Sequence, residues 1–159
     1  MYKAINLLIV LLLITMFTLI FGEAQQEKPK KKLIEYGWDV PYPDFVQQHI
    51  RELESRPFDG LIFRLREFNH AFDTRLWEEA KLQPQVDSLS GIDWKTFTDN
   101  FLCLYAANQW GMNWFNDAHW QTIRANMKLT ARAAKVGRCV GICFDPEPYG
   151  EHNPWKYAG

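Results

Sequence analysis

The chain has 159 residues, with 18 Lys and Arg against 19 Asp and Glu, a formal net charge of -1, and three Cys. The near-neutral charge argues against a nucleic-acid-binding protein, and 47% hydrophobic residues is too high for a disordered chain. Three Cys without a C-x-x-C pair do not predict a disulfide framework or a zinc site, and no cofactor is expected. We therefore predict a packed domain that is stabilised by its apolar core.

The N-terminal segment has the composition of a secretion signal. Lys3 precedes an almost unbroken apolar run, Leu7–Phe21, and small residues follow at Gly22 and Ala24, which is the order that a signal peptide requires. We therefore predict a signal peptide over residues 1–24. The alternative is an uncleaved membrane anchor, because a run of this length is just long enough to cross a thin bilayer.

Two further segments complete the predicted domain organisation. Residues 25–32 (QQEKPKKK) are polar and rich in Lys, and we interpret them as a solvated linker. Residues 33–159 form the predicted folded domain. The signal implies an exported protein, periplasmic or extracellular, whose contact with a membrane is limited to an uncleaved N-terminal segment.

The first half of the domain has two apolar runs on either side of one amphipathic pattern. Leu33–Trp38 predicts a strand, and Leu61–Phe63 predicts a second strand that is buried on both faces. Between them, a helix is expected to begin at Pro43 and to stop before Pro57. Its predicted buried face consists of Phe45, Val46, His49, Ile50 and Leu53.

A less regular segment runs from Asn69 to Thr98. Pro84 and Gly91 interrupt the helical spacing of apolar residues there, and a Pro inside a helix removes a backbone N–H donor. We therefore predict a broken helix. Its apolar pattern is carried by Leu76, Trp77, Ala80, Val86 and Leu89.

The last part of the domain predicts two strands around a long helix. Phe101–Tyr105 is a continuous apolar run, as in a buried strand, and Cys139–Phe144 is the fourth predicted strand. Asp117 is expected to cap the helix between them, and Gly137 is expected to end it in a left-handed conformation. The predicted apolar face of this helix is Trp120, Ile123, Met127, Ala131 and Ala134.

Strands that alternate with helices predict an α/β fold with a parallel sheet of β/α units. A complete eight-stranded (β/α) barrel takes ~250 residues, whereas residues 33–159 supply four units. We therefore predict about the first half of a parallel (β/α) barrel, with an open sheet as the alternative. Because a half barrel exposes two sheet edges, we expect self-association or a missing second half.

Polar or aromatic residues follow the first three predicted strands. Trp38 and Asp39 come after the first strand, Arg64 after the second, and Asn108 and Trp110 after the third. Because ligands of parallel α/β proteins bind beyond the carboxyl ends of the strands, we predict that these residues bind substrate. The structural alternatives are a turn cap for Asp39, an ion pair for Arg64 and a loop position for Asn108.

The fourth predicted strand runs into Asp145-Pro146-Glu147-Pro148. A residue before Pro avoids α geometry, so both acids are expected in extended backbone, where side chains at i and i+2 project to the same side. Two carboxylates that face one cleft divide into a general acid and a charge-stabilising partner. The alternative is a Pro-rich turn whose carboxylates cap nearby amides.

The string Gly141–Glu147 (GICFDPE) resembles the end of the fourth-strand motif of chitinase-type glycoside hydrolases, in which Gly and apolar residues lead to D-x-E. The resemblance implies that Glu147 protonates the glycosidic oxygen and that Asp145 is its partner. In that family the Asp orients the acetamido group of the substrate, which acts as the nucleophile. This sequence departs from the family motif at the positions of its two earlier acids, which Val140 and Cys143 occupy here.

Four segments are also similar to uncharacterised secreted bacterial barrel proteins of glycoside-hydrolase type. This similarity implies a (β/α)8-barrel fold and a carbohydrate ligand. It also implies that the chain stops after the fourth strand, where a longer relative would continue. The segments are Leu33–Pro41, Arg56–Arg64, Phe97–Phe101 and Phe144–Trp155.

Aromatic side chains extend the prediction of a carbohydrate ligand, because exposed rings offer flat apolar platforms to sugars. Those expected near the strand ends are Trp38, Trp110, Trp114, Tyr149 and Trp155, whereas Trp77, Trp94 and Trp120 are expected in the core or between helices. Cys139 and Cys143 lie ~13 Å apart if they share a strand, which is too far for a disulfide. We expect both to be small buried apolar residues.

Three functional hypotheses remain open at this point. The first is an exported glycosidase-type hydrolase in which Glu147 and Asp145 are catalytic. The second is a non-catalytic carbohydrate-binding module that uses Trp110, Trp114, Tyr149 and Trp155. The third is a nonfunctional truncation of a larger barrel enzyme, because no helix is predicted after the fourth strand.

Overall fold

The computed structural model describes residues 31–106 and 111–147. Within these ranges the strands are β1 (Ile34–Glu35), β2 (Gly60–Phe63), β3 (Asn100–Tyr105) and β4 (Cys139–Asp145), and the helices are α1 (Pro43–Leu53), α2 (Glu79–Ser90) and α3 (Asp117–Val136). All of them belong to the unit Lys32–Gly159. None of these helices is long and apolar enough to span a membrane. The predicted signal peptide and most of the predicted linker lie outside the described residues.

The sheet is parallel throughout, with the strand order β1-β2-β3-β4. This confirms the predicted α/β fold built from β/α units. β2 is buried at every residue, because strands flank it on both sides. The predicted fourth strand is confirmed as β4, which pairs with β3, but Val140, Ile142 and Phe144 are exposed although the run is apolar.

The larger core lies between the sheet and the helices. Side chains of β2 and β3 that point toward the helices, such as Phe63 and Leu102, pack there with Val46 of α1 and Leu82 of α2. Alternate residues of the same strands point to the opposite side of the sheet, where a smaller cluster forms. We call that side the inner face; its cluster contains Val40, Ile62 and Cys103, with Ile34, Phe101, Tyr105 and Cys143 packed against them.

The first helix begins at Pro43, as predicted, but its buried face is narrower than the sequence pattern indicates. Val46, Ile50 and Leu53 are buried. Phe45 is 46% exposed and stacks on the ring of His49 with a centroid distance of 4.3 Å. The two rings therefore pack on each other at the edge of the helix instead of entering the core.

The predicted broken helix is wrong in its first part: α2 is one helix that includes Pro84, and the segment before it is irregular. Asn126 of α3 holds that segment. Its side-chain nitrogen donates to the carbonyl oxygens of Asp73 at 3.1 Å and Arg75 at 2.8 Å, and its side-chain oxygen accepts the backbone N–H of Trp77 at 2.9 Å. The backbone groups of this segment therefore bind the Asn126 side chain instead of forming the hydrogen bonds of a helical turn.

The ends of α3 differ from the prediction by one residue each. Asn116, not Asp117, is the N-cap, and its side chain accepts the backbone N–H groups of Ala118 and His119. At the other end, Gly137 has an ordinary φ of -73°, and the left-handed residue is Arg138 with a φ of 54°. Asn and Asp are equally good N-caps, which explains the first shift, whereas nothing in the structure explains why Arg138 and not Gly137 is left-handed.

Candidate functional site

A pocket of about 440 Å³ lies at the carboxyl ends of the parallel strands. This is the end of the sheet at which ligands of parallel α/β proteins bind. The structure brings three predicted site residues, Trp38, Asp145 and Glu147, to this pocket. The other side chains that matter on its wall are Tyr36, Tyr105 and Cys143.

Asp145 is fixed at both oxygens of its carboxylate. Oδ2 accepts a hydrogen bond from the Tyr36 hydroxyl at 2.9 Å, and Oδ1 accepts the backbone N–H of Glu147 at 3.1 Å. The second bond closes a turn around Pro146, because an Asp side chain readily binds the backbone two residues later. The Asp145 carbonyl oxygen accepts the N–H of Ala106 at 2.7 Å. The turn is thus tied to the end of β3, and the Glu147 side chain is left exposed beside the pocket.

The hydrogen bond between Tyr36 and Asp145 joins the two edges of the described sheet. Tyr36 directly follows β1 and Asp145 ends β4, and three strand spacings amount to ~14 Å in a flat sheet. This is farther than one tyrosine side chain reaches, so the sheet curves toward its inner face. Burial raises the pKa of Tyr36, and the hydrogen bond to Asp145 raises it further. The hydroxyl therefore stays a donor at neutral pH.

Two other predicted site residues lie near this pocket but not on its wall. The guanidinium of Arg64 lies over the rings of Tyr42 and Tyr105, at 4.7 Å and 5.6 Å from their centroids, so it packs against a wall residue of the pocket. Asp39 lines a second groove of about 450 Å³, which shares Trp38 with the pocket and extends along α1. Asp39 therefore lines this groove and not the wall of the strand-end pocket.

The remaining predicted site residues are Asn108, Trp110, Tyr149 and Trp155, and they lie outside the described residues. Trp114, a predicted sugar platform, packs against Phe72 and Trp120 with centroid distances of 5.2 Å and 5.3 Å. Its carbonyl oxygen accepts the indole N–H of Trp120 at 2.8 Å. Trp38, in contrast, is 92% exposed, and it is the tryptophan that the described part of the chain presents at the pocket.

Sequence reasoning missed Tyr36, Tyr105 and the two cysteines of the inner face, Cys103 and Cys143. One signal was available, because the period of two along a strand places Cys143 on the same side as Asp145. The sequence did not reveal which residues of β3 lie beside Cys143 and Asp145, because this register depends on how β3 pairs with β4. That pairing sets Cys103 opposite Cys143 and Tyr105 opposite Asp145.

Metal ligands do not gather in the described part of the chain. No group of three or more His, Cys, Asp or Glu side chains there is arranged to hold a metal ion. That the protein needs no cofactor stays a prediction.

Comparison with known proteins identifies no relative: no family model, no curated protein and no solved structure matches the chain. The resemblance to glycoside hydrolases therefore stays a prediction. The structure defines the protein as an α/β domain with a four-stranded parallel sheet and a pocket at the strand ends.

Proposed function

We propose that this domain, as part of an exported protein, binds a carbohydrate in the strand-end pocket and cleaves a glycosidic bond there. Glu147 is the general acid and Asp145 is its charge-stabilising partner. The observation that carries the proposal is the Asp145 carboxylate, which is fixed by Tyr36 and by the Glu147 backbone. A carboxylate that is already in position stabilises developing positive charge without reorganising during the reaction.

Glu147, the proposed general acid, lines the pocket in which the sugar would bind. Its side chain is exposed beside the pocket in the free protein. A sugar in the pocket would cover this carboxyl group and exclude water from it. Two carboxyl groups with different solvation thus divide the labour of glycoside cleavage.

The walls of the pocket suit a sugar ring. Tyr36 and Tyr105 line it, and Trp38 stands at its edge with 92% of its surface exposed. Large aromatic rings usually bury most of their surface, so an exposed ring beside a pocket favours a role in binding. The volume of about 440 Å³ lies within the ~300–1,000 Å³ of typical small-molecule sites.

The Glu147→Gln variant tests this proposal. We expect it to release reducing ends from a panel of soluble glycans ~10²- to 10⁴-fold more slowly than the unmodified protein, since general acid catalysis contributes about that much. Its glycan affinity, measured by calorimetry, should stay within about threefold. Glu78→Gln is the matched control, because Glu78 is exposed and its carboxylate pairs with Lys81 instead of facing the pocket. Full turnover by Glu147→Gln would overturn the assignment.

A second candidate function is a carbohydrate-binding module without catalysis, and the exposure of Trp38 favours it. In that case the unmodified protein binds glycans but releases no reducing ends. Trp38→Ala should then weaken binding by at least ~10-fold, which is the loss expected for a central aromatic contact, whereas Glu147→Gln should bind normally. If the unmodified protein binds none of the glycans, both candidate functions are wrong.

A further inference from the structure

We propose that Cys103 and Cys143 are a dithiol that a low-molecular-weight disulfide oxidises to a disulfide bond between β3 and β4, below the strand-end pocket. This inference goes beyond the proposed function and does not depend on a carbohydrate ligand. It rests on the register of the two strands and on the face to which both side chains point.

The two cysteines are register partners on adjacent parallel strands. Neighbouring strands lie ~4.8 Å apart, which falls within the ~4.4–6.8 Å between Cα atoms that a disulfide spans. Register partners also project to the same side of a sheet, and both residues belong to the inner-face cluster. The pairing of β3 with β4 therefore places the two cysteines side by side on one face of the sheet, at a backbone spacing that a disulfide spans.

Cys139, the third cysteine, provides an internal contrast. It also lies on β4, but its register partner is Asn100. Its side chain packs with the core between the sheet and the helices, not with the inner-face cluster. No thiol therefore faces Cys139, and the structure predicts that it forms no cross-link within the chain under conditions that link the other two.

The reaction begins at Cys143, because this residue lines the pocket whereas Cys103 is only 1% exposed. The Cys143 thiolate attacks the small disulfide, forms a mixed disulfide and releases one small thiolate. Cys103 then loses its proton and attacks the Cys143 sulfur, which releases the second small thiolate. The protein loses two electrons and two protons, and the small disulfide is reduced to two thiols.

The surroundings of the two cysteines determine how fast they are oxidised and what the disulfide would do to the sheet. Burial raises the pKa of Cys103 to about 12 and also raises the pKa of Cys143, so oxidation is slow at neutral pH and faster in alkaline solution. The bond would lie two residues before Tyr105 and two before Asp145. It would therefore fasten the edge strand β4, and the acids that follow it, to the rest of the sheet.

The experiment uses the full chain carrying Cys139→Ser, incubated with glutathione disulfide at about pH 9, where more of each thiol is ionised. We expect the intact mass to fall by two hydrogen atoms without a glutathione adduct, and peptide mapping to show the link between Cys103 and Cys143. The melting temperature should rise by roughly 5–15 °C over that of the reduced protein, since the bond closes a long loop. Two free thiols, or two glutathione adducts, would overturn the proposal.

Two controls keep the result interpretable. The double variant Cys139→Ser/Cys143→Ser, incubated with glutathione disulfide in the same way, should show neither the cross-link nor the rise in melting temperature. If a variant fails to fold, the unmodified chain gives the same answer, because after oxidation its single alkylatable thiol should map to Cys139. A cross-link that includes Cys139 would contradict the register on which the inference rests.

Discussion

Two aspartates show how differently this fold uses the same side chain. Asp73, in the irregular segment before α2, is fully buried, and its two oxygens accept the indole N–H of Trp77 at 2.8 Å and several N–H groups of Arg75. Asp145 accepts one hydrogen bond at each oxygen and lines a pocket. The carboxylate of Asp73 is occupied by several hydrogen bonds within the protein, whereas each oxygen of Asp145 accepts a single hydrogen bond from the described residues.

This comparison assigns different tasks to the two regions. Around Asp73, the polar side chains and Asn126 bind one another and the backbone, so a long segment without a helix is held firmly against α3. Around Asp145, the hydrogen bonds orient one acid and leave the next acid exposed. A buried polar network stabilises a fold when all of its hydrogen-bonding groups have partners. A functional site is expected where polar groups still have hydrogen-bonding capacity to spare.

The largest expected effect comes from removing the buried carboxylate. Asp73→Ala should lower the free energy of unfolding by about 3 kcal/mol, because it leaves the buried indole N–H of Trp77 without an acceptor. Asp145→Asn should lower it by less than about 1 kcal/mol, because the amide oxygen still accepts one bond beside a solvated pocket. Urea denaturation of both variants measures the difference. Equal losses would mean that the two carboxylates do not differ in the way the structure indicates.

A smaller loss is expected at Glu54, which anchors the segment between α2 and β3. Its Oε1 accepts the backbone N–H groups of Lys95, Thr96 and Phe97 at 2.6, 2.8 and 3.1 Å, and its side chain is only 4% exposed. Glu54→Ala should cost about 2 kcal/mol, since three donors lose their acceptor. Glu54→Gln should cost about half as much, because its amide oxygen replaces that acceptor.

The pH dependence provides a second measurement at the same residue. Burial alone would raise the pKa of Glu54, but the backbone N–H groups and Arg51 lower it overall. A lowered pKa in the folded state means that the stabilisation is complete above the ordinary value of 4.5 and is lost as the pH falls through the folded-state pKa. Between about pH 5 and pH 2, the unfolding free energy should therefore fall more steeply in the unmodified protein than in Glu54→Gln. Parallel curves would contradict this assignment.

The fold was largely predictable because it follows from local patterns. Apolar runs of strand length alternate with amphipathic helical spacing, and this order predicted the parallel sheet that the structure shows. The segment before α2 was not predictable, because Asn126, the residue that binds its backbone, lies about fifty positions further along the chain. The exposed side chains of β4, Val140, Ile142 and Phe144, were not predictable for a similar reason: an apolar run does not reveal which side-chain face another part of the chain covers.

The site was predictable only in part. Trp38, Asp145 and Glu147 were found because side chains that follow parallel strands gather at one end of the sheet. Tyr36 was missed because its bond to Asp145 exists only when the sheet curves enough for its edges to approach. Curvature is a property of the whole sheet and leaves no mark on the residue types of a single strand.

The smallest expected effect on stability is that of Tyr36→Phe. The residue is 50% exposed, so loss of its bond to Asp145 should cost only about 0.5 kcal/mol. Burial and Asp145 raise the pKa of Tyr36, and Cys103 and Tyr105 face the same hydroxyl. The stabilisation is therefore complete below the ordinary value of 10.0 and is lost as the pH rises toward the folded-state pKa.

Alkaline unfolding therefore isolates this bond. Above about pH 10, the unfolding free energy should fall less steeply in Tyr36→Phe than in the unmodified protein, because the variant has no hydroxyl to ionise against Asp145. Asp145→Asn should give an intermediate slope, since burial of Tyr36 persists without the neighbouring charge. Identical slopes in all three proteins would mean that Tyr36 does not hold Asp145 in solution. A bond that contributes so little to folding is expected to matter mainly for the orientation of the acid that it holds.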